Sequence, residues 1–595
     1  MSDDQKRNNG GHPGGNRQHF NKDAQHKGGD FHGKGGFSGR SGGDRPGFKG
    51  EKRPYRGDKP AFDGEKRPFR GDRPAFNGEK RPYRGDKPAF DGEKRPFRGD
   101  KPSFNGERKP FGGDRPRTGF RPARPGFRPA APVNRPARPP RVQTDGMPAR
   151  RIALTVVRKV TENGAYASLV LNEQLESCGL SLEDRRFAAR LAYDTLQHLL
   201  YLDYALSQVM AREDTDIRLR NILRLGACQL LKMDRIPEFA ICDTCVELTK
   251  ELGKEAPGLE NLHSVCNGIL RNLIRKKEAG ELTFPDEETE PLKALSIRWS
   301  VPEWLAEKLI ADYGRDEAVA LMACRQQEAI VLRPNLTRLD DAGMEKLLGE
   351  KVWQHEPGAV PHAVRITGMA DIGHDSGFTR GDYSIESEGS MLAVMALDPK
   401  RGQTVLDCCA APGGKTCYIA ELMGGTGRVH SWDLHPHRVD LIEAQVRRLG
   451  LENVRPVIRD ASVPREELIE TMDAVLLDAP CSGTGDMADK PDVKYRPTAG
   501  SLDTLVNTQM ALLDAVAPYV KRGGTLVYST CSVLKDENER QVEAFLQRHP
   551  EFVIDRLPAA VPERFAQHYG TGLQLLPQRD GVGGFYLCRL KRKRV

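Results

Sequence analysis

The sequence has no long apolar run. Its 595 residues contain no stretch of about 18 apolar residues, the length a helix needs to cross a bilayer. The first residues, MSDDQKRNNGG, lack the apolar core of a secretory signal. These absences disfavour membrane proteins and secreted proteins, so we expect a cytoplasmic chain with no membrane partner.

The sequence also gives little support for disulfides or metal sites. Cytoplasmic thiols stay reduced, so the 12 cysteines are interpreted as buried small residues or as reactive thiols. Cys242 and Cys245 form a CxxC pair inside a helical pattern, but no second Cys or His pair lies at zinc spacing. We therefore predict no metal site.

Residues 1–148 have almost no Leu, Ile or Val and are rich in Gly, Pro and charge. Such a segment cannot bury enough apolar surface to offset its ordering entropy, which predicts a disordered tail. Residues 1–150 hold 36 Lys and Arg against 18 Asp and Glu, a net charge of +18. The rest of the chain has 55 Lys and Arg against 65 Asp and Glu, a net charge of −10, so the positive charge is concentrated in the tail. This asymmetry indicates a polyanionic partner.

A 14-residue unit repeats inside the tail. GEKRPYRGDKPAFD at 50–63 returns as GEKRPFRGDRPAFN at 64–77, and three more copies extend to about residue 116. Aromatic rings can stack on unpaired bases while Lys and Arg contact phosphates. The Asp and Glu of every unit weaken that interpretation, so an RNA-binding tail and a simple spacer both remain open.

The rest of the chain divides into three predicted domains. Helical spacing of apolar residues in 149–284 predicts an all-α bundle of five to seven helices. Residues 285–384 mix short helices and strands, which indicates a small α+β domain. Strands and helices alternate in 385–595, a pattern typical of a doubly wound, Rossmann-like α/β sheet.

A cofactor site is predicted at the strand ends of the third domain, because ligands of such sheets bind there. The first strand leads into the turn Cys409, Ala410, Ala411, Pro412, Gly413, Gly414 and Lys415, and the next three strands end in Asp433, Asp460 and Asp478. Small residues let a ligand approach the backbone at the start of a helix. Asp433 can accept hydrogen bonds from ribose hydroxyls, and Asp460 can contact an adenine. The set predicts a nucleoside-containing cofactor, and the missing GxGxxG pattern disfavours NAD.

Two cysteines follow the fourth and fifth predicted strands. Cys481 stands in DAPCSGTG and Cys531 in YSTCS, and neighbouring strands lie about 4.8 Å apart. Both thiols can therefore face one pocket. A thiolate that adds to carbon 6 of cytosine makes carbon 5 nucleophilic enough to take a methyl group, and Asp478 is placed to hydrogen-bond the base. The residues alone leave open which thiol attacks, and either alone can be a buried small residue.

Three segments, LDCCAAPGGKT, DAVLLDAPCSGTG and YSTCSVLKDENERQVEAFL, resemble RNA cytosine-C5 methyltransferases. The helical segments DRRFAARLAYDTL, RLRNILRLGACQLL and CNGILRNL are similar to the NusB-type RNA-binding domain. The combination resembles bacterial 16S ribosomal RNA methyltransferases of the RsmB/Sun type over about 149–595. The resemblance implies attack by Cys531, assistance in release by Cys481, and S-adenosylmethionine held by 409–415, Asp433, Asp460 and Asp478.

The expected function is therefore methylation of carbon 5 of a cytosine in 16S rRNA. The catalytic residues would be Cys531, Cys481 and Asp478, S-adenosylmethionine would be the cofactor, and the protein would act as a monomer. The same chemistry on transfer RNA or on another ribosomal RNA site is one alternative. A ribosome-assembly factor that binds RNA without catalysis is another, disfavoured by the complete set of thiols and acids.

Overall fold

The computed structural model describes residues 146–212, 214–256, 259–325, 329–367 and 372–595. The predicted disordered tail and its repeats lie outside the described residues, up to the point where helix α1 begins at Met147. That start is two residues before the predicted boundary at 149. Pro148 stands in the first turn, where the N–H that proline lacks has no partner within the helix in any case.

An all-α bundle follows, as predicted. Its seven helices in the described residues are α1 (Met147–Asn163), α2 (Ala167–Glu176), α3 (Leu182–Gln197), α4 (Leu199–Ser207), α5 (Ile217–Leu231), α6 (Glu238–Glu255) and α7 (Leu262–Glu278). The side chains of Ser181 and Asp216 cap α3 and α5 by accepting backbone N–H groups of their first turns. Helix α5 carries the centre of the core, because eleven of its fifteen residues are buried.

The predicted α+β region is divided between two hydrophobic cores. Three helices come first, α8 (Pro291–Trp299), α9 (Glu303–Tyr313) and α10 (Arg315–Ala323). They pack against Met487, Leu534 and other residues of the C-terminal region. The remainder forms a separate small sheet of order β2–β3–β1–β4, built from β1 (Ala329–Pro334), α11 (Asp341–Gly349), β2 (Gln354–Pro357), β3 (Val364–Thr367), α12 (Ser376–Arg380) and β4 (Tyr383–Ile385). The predicted boundary at 384/385 falls inside β4. The domain bounds that the sequence indicates stay a prediction.

The C-terminal region has the predicted Rossmann-like sheet. Its elements are α13 (Glu388–Leu397), β5 (Thr404–Asp407), α14 (Gly414–Leu422), β6 (Arg428–Asp433), α15 (Pro436–Leu449), β7 (Val454–Ile458), β8 (Met472–Asp478), α16 (Ala499–Val516), β9 (Val520–Thr530), α17 (Glu539–Arg548), β10 (Phe552–Ile554), α18 (Glu563–Ala566), β11 (Leu573–Leu575), α19 (Pro577–Asp580) and β12 (Phe585–Arg592). The strand order is β10–β12–β9–β8–β5–β6–β7, and β11 pairs with β12. The last two strands, β11 and β12, pair antiparallel.

Strands β7, β6, β5, β8 and β9 run parallel. The strand order reverses between β5 and β8, where ligands bind in sheets of this kind. The predicted adjacency of the fourth and fifth strands is confirmed, because β8 pairs with β9 from Ala474 to Asp478. The residues that follow β5, β6, β8 and β9 therefore meet at one edge of the sheet.

A short segment after the β8 loop binds the helical bundle directly. Buried Lys494 donates from Nζ to the backbone oxygen of Gln197 at 2.9 Å. Tyr495 donates its hydroxyl to the backbone oxygen of Ser300, and Arg496 donates to the backbone oxygens at 164 and 165. The polypeptide that leaves the candidate site is thus fixed to helices of the bundle and of the α8–α10 group.

Candidate active site

The sheet register aligns the candidate cofactor residues. Asp407 of β5 pairs with Ser431 of β6 and with Leu476 of β8. Cys409, Asp433 and Asp478 each follow these paired positions by two residues, so they reach the same level at the sheet edge. Asp433 in turn pairs with Ile458, which places Asp460 two residues beyond that pair. The structure therefore brings the predicted acids to one edge.

The turn from Cys409 to Lys415 packs closely against its neighbours. Ala410 donates its N–H to the backbone oxygen of Trp432 at 2.8 Å, which fixes the turn to the end of β6. Gly413 has φ 110, a left-handed conformation that favours glycine. A Cβ atom there would lie 3.2 Å from the Cα atom of Ile442 on α15. The glycine thus allows the turn that begins α14 to pack closely against α15.

Asp433 and Asp460 differ in their surroundings. Asp433 is buried and accepts the N–H of Ala411 at 3.3 Å and the N–H of His435 at 3.2 Å. Asp460 is exposed, and one of its oxygens accepts from the backbone and the hydroxyl of Ser462. The carboxylate of Asp433 is therefore held in a fixed orientation at the cofactor edge, whereas Asp460 caps a turn and presents its other oxygen to solvent.

Asp407 is a further acid of this site that received no role in the sequence analysis. It is fully buried at the end of β5, where Oδ2 accepts the hydroxyl of Thr416 at 2.6 Å. Its Oδ1 atom is buried and has no hydrogen-bond partner among the described residues. Burial raises the pKa of this carboxyl group to about 7. Asp407 could have been predicted as a site residue from its position as the last residue of β5, since the other acids of the site also lie at strand ends.

Asp478 is held by a partly buried lysine and a hydroxyl. Its Oδ2 atom lies 2.8 Å from Nζ of Lys415, and its Oδ1 atom accepts the hydroxyl of Ser529 at 2.8 Å. Burial lowers the pKa of Lys415, but the charge of Asp478 outweighs it, so the net shift is upward. The cofactor turn and the end of β8 are therefore joined by an ion pair, and the Asp478 carboxylate has one fixed orientation.

The two predicted cysteines meet at this edge. The sulfur atoms of Cys481 and Cys531 lie 3.2 Å apart, and both residues are free thiols that are partly exposed. The hydrogen bond to Cys531 and burial hold the pKa of Cys481 well above its usual range. Cys481 thus keeps its proton at neutral pH, and the two sulfur atoms are close enough to share a hydrogen bond. The structure therefore brings the two predicted thiols into contact at the sheet edge.

A buried glutamate behind the two cysteines, Glu537, was not predicted from the sequence. Glu537 is fully buried and accepts hydrogen bonds from Ser482 and Ser532, the residues that follow the two cysteines. Its only signal in the sequence was a position inside the segment YSTCSVLKDENER. The contact joins positions 50 residues apart, so spacing alone did not identify it.

The chemistry of this edge fits S-adenosylmethionine better than NAD. Four carboxyl groups, Asp407, Asp433, Asp460 and Asp478, surround the turn, and one of them has an unpaired buried oxygen. S-adenosylmethionine brings a sulfonium, an ammonium and two ribose hydroxyls, which are attracted to carboxylates or donate hydrogen bonds to them. The pyrophosphate of NAD would be repelled by the same acids. The residues present therefore fit the predicted cofactor.

Among the described residues, no group of three or more His, Cys, Asp or Glu side chains is placed to hold a metal ion. No helix in the described part of the chain is both long and apolar enough to cross a membrane.

Comparison with known proteins identifies two matching family models. Residues 394–591 match the model described as 16S rRNA methyltransferase RsmB/F. Residues 147–275 match the NusB family. The two matches cover the Rossmann-like sheet with its cysteines and the helical bundle.

Several relatives match this chain over nearly their own full length. The chain is 36% identical over 454 residues to the probable ribosomal RNA small subunit methyltransferase B of Bacillus subtilis, covering 75% of this chain and 98% of the relative. It is 33% identical to the protein of the same description from Synechocystis, covering 75% and 99%. The crystal structure of PH0851 superposes with a TM-score of 0.65 at 25% identity, covering 76% of this chain and 99% of that one. The part without counterpart in these relatives amounts to about a quarter of the chain.

Proposed function

The chain belongs to the RsmB/F family of ribosomal RNA methyltransferases, and on this basis we propose that it methylates carbon 5 of a cytosine in 16S rRNA. It uses S-adenosylmethionine, which supplies the methyl group as an electrophilic methylsulfonium. The observation that carries the proposal is the contact of Cys481 and Cys531, whose sulfur atoms lie 3.2 Å apart beside the cofactor turn. A methyltransferase acting on a nucleophilic nitrogen or oxygen has no need of two thiols at this point.

In the proposed reaction Cys531 acts first. Its thiolate forms a bond to carbon 6 of the cytosine, and the electrons of the 5,6 double bond move to carbon 5. Carbon 5 then forms a bond to the methyl group of the donor, the sulfur–methyl bond breaks, and S-adenosylhomocysteine is left. Loss of the carbon-5 proton to a base returns the electrons to the 5,6 bond, and the bond from carbon 6 to Cys531 breaks. The enzyme thiolate is regenerated and 5-methylcytosine leaves.

The structure supports assigning attack to Cys531 and release to Cys481. Because the pKa of Cys481 is raised, this thiol is protonated at neutral pH and is a poor nucleophile. When Cys531 is the thiolate, the S–H of Cys481 can donate to it, and a hydrogen-bond donor stabilises a sulfur that carries negative charge. The same donor is in place when Cys531 leaves carbon 6. A thiol held 3.2 Å from Cys531 agrees with the roles that the family resemblance implies.

Asp478 is the group we assign to orienting the base. Its carboxylate can accept hydrogen bonds from the amino group of cytosine and from N3 once N3 carries a proton in the adduct. Lys415 and Ser529 hold the carboxylate in place, and Lys415 also joins it to the cofactor turn. Base and methyl donor are thereby placed on one rigid frame, which is what a near-attack geometry requires.

RNA binding is assigned to the helical bundle, which matches the NusB family, and to the basic tail. The target cytosine has to leave any base stack to reach the sheet edge. The tail carries a net charge of +18 over residues 1–150, which fits a role in holding the RNA through its phosphates. We propose that the enzyme acts as a monomer, since the cysteine pair and the acids of the cofactor edge come from one chain.

The test is a methyl-transfer assay with labelled S-adenosylmethionine. Unmethylated 16S rRNA and small-subunit precursors are the first substrates, and transfer RNA and 23S rRNA are run in parallel. We expect label in 16S rRNA, located in 5-methylcytosine by nucleoside analysis and by bisulfite mapping. Label in transfer RNA alone would show that transfer RNA, not 16S rRNA, is the substrate. Label on a nitrogen or on ribose would overturn the proposed chemistry.

A further inference from the structure

A buried carboxylate lies behind the cysteine pair. Glu537 precedes α17, and its side chain has no exposed surface. No cation pairs with it among the residues that the structure describes. A buried carboxylate without an ion pair is costly unless several donors satisfy its oxygens.

Four donors satisfy Glu537. Its Oε1 atom accepts the N–H of Ser482 at 2.8 Å and the side-chain amide of Gln509 at 3.0 Å. Its Oε2 atom accepts the hydroxyls of Ser482 and Ser532, both at 2.5 Å. Ser482 directly follows Cys481, and Ser532 directly follows Cys531. One carboxylate therefore binds both cysteine loops at the equivalent position.

Other contacts complete this junction. Gln509 donates to the backbone oxygen of Pro480 at 2.9 Å, so it holds the Cys481 loop from the other side. The hydroxyls of Thr484 and Ser532 lie 3.0 Å apart, and the backbone N–H of Gly485 donates to the oxygen of Cys531 at 2.9 Å. Within this set, Glu537 is the group that accepts from both loops at once.

We propose that Glu537 is a positioning residue, which fixes the loops of Cys481 and Cys531 in one relative register so that both sulfurs reach the same cytosine. The inference rests on the proposed function. The residue itself does not touch the base. Its Oε2 atom accepts the hydroxyls of both Ser482 and Ser532 and so holds these two residues, which adjoin the two cysteines, in one relative position. Its negative charge also favours the protonated form of Cys481.

A residue that only stabilised the fold would have a different effect from a positioning residue. Loss of a purely structural contact lowers the melting temperature but leaves the rate of the folded enzyme intact. Loss of a positioning contact slows the chemical steps at saturating substrate, because a misplacement of about 1 Å can cost on the order of 10²-fold in rate. The affinity for S-adenosylmethionine, which binds at the ends of β5 and β6, would not change in either case.

The experiment compares the full chain with Glu537→Gln, Glu537→Ala and the control Glu543→Gln, which changes an exposed glutamate on the helix that follows, α17. Gln has the shape of Glu and can keep several of the hydrogen bonds, so it is the variant expected to fold if Ala does not. The substrate is 16S rRNA in which cytosine is replaced by 5-fluorocytosine. Fluorine cannot leave carbon 5 as a proton does, so the covalent adduct is trapped and its rate of formation reports addition and methyl transfer.

We expect adduct formation in Glu537→Gln to be slower by about tenfold and in Glu537→Ala by about 10²-fold at saturating RNA and cofactor. Cofactor affinity should stay within twofold of the parent chain, and Glu543→Gln should match the parent. A folded Glu537→Gln or Glu537→Ala protein that forms adduct at the parent rate would overturn the inference. Failure of the parent chain itself to form any adduct would instead overturn the proposed function.

Discussion

The sulfur atoms of Cys481 and Cys531 lie 3.2 Å apart, on loops that follow two neighbouring parallel strands. Their separation along the chain is 50 residues, and strand pairing between β8 and β9 closes it. The backbone N–H of Gly485 donates to the oxygen of Cys531 and ties the loops a second time. The pair is therefore a product of the sheet register, and changes to that register should affect both thiols together.

Replacement of Gly485 by Ala should separate the loops. A Cβ atom at this position would lie 2.0 Å from the backbone oxygen of Gly584 and 2.8 Å from that of Cys531, and backbone atoms have little freedom to move away. We expect a loss of stability of about 1–3 kcal/mol or more, together with a large loss of turnover. Thermal melts and methyl-transfer rates measure the two effects. The control is Gly500→Ala, where a Cβ atom meets nothing within 4 Å; equal behaviour of the two variants would contradict this account of the loops.

The Asp407 carboxyl group should make the stability of the cofactor-free protein depend on pH. Its pKa is about 7 in the folded chain, against about 3.9 for an unfolded aspartate. Between these values the folded state binds more protons, so stability should fall as pH rises from about 4 to about 7. The Asp407→Asn variant has no carboxyl group at this position, so its stability should not fall in this way as pH rises. It should melt close to the parent at pH 4 and be more stable at pH 8, by at most about 4 kcal/mol. A parent and variant that keep a constant difference across this range would argue against the buried carboxyl.

Removal of the Lys494 amino group should weaken the attachment of the catalytic region to the helices. Lys494→Met keeps the length of the side chain but leaves the buried backbone oxygen of Gln197 without this donor. We expect a loss of about 1–3 kcal/mol, the cost of an unsatisfied buried group. Differential scanning calorimetry should show it as a lowered or split transition. Lys490→Met serves as the comparison, since the Lys490 side chain is half exposed and binds Asp486, and its transition should stay near that of the parent.

Deletion of residues 1–145 tests the proposed RNA contact of the tail. Phosphate contacts release counterions, so affinity gained from the tail should fall steeply with salt. We expect the shortened chain to bind RNA about tenfold more weakly at low salt, with a flatter dependence on salt, and to retain methylation. Filter binding across a salt series gives both quantities. Superimposable curves for the two chains would leave the tail as a spacer.

Much of this architecture could be predicted from the sequence, because local patterns carry it. Alternation of strands and helices gave the sheet, and the acids at strand ends gave the cofactor edge. Side-chain contacts that depend on tertiary packing could not be predicted in this way. The bonds of Glu537 to Ser482 and Ser532 and the division of 285–384 between two cores arise from side chains distant in sequence. Asp407 was missed because a buried carboxyl and a strand-end turn residue look alike in sequence.

The roles of the two thiols can be tested on one denaturing gel, which detects the covalent protein–RNA adduct. Cys531→Ala, Cys481→Ala and the parent chain are incubated with S-adenosylmethionine and labelled 16S rRNA, then separated under denaturing conditions. We predict a covalent protein–RNA band that accumulates in Cys481→Ala, because attack proceeds and release fails, and no such band in Cys531→Ala. A band in Cys531→Ala and none in Cys481→Ala would reverse the assignment, and no band in any protein, together with unimpaired methylation by both variants, would contradict the adduct mechanism.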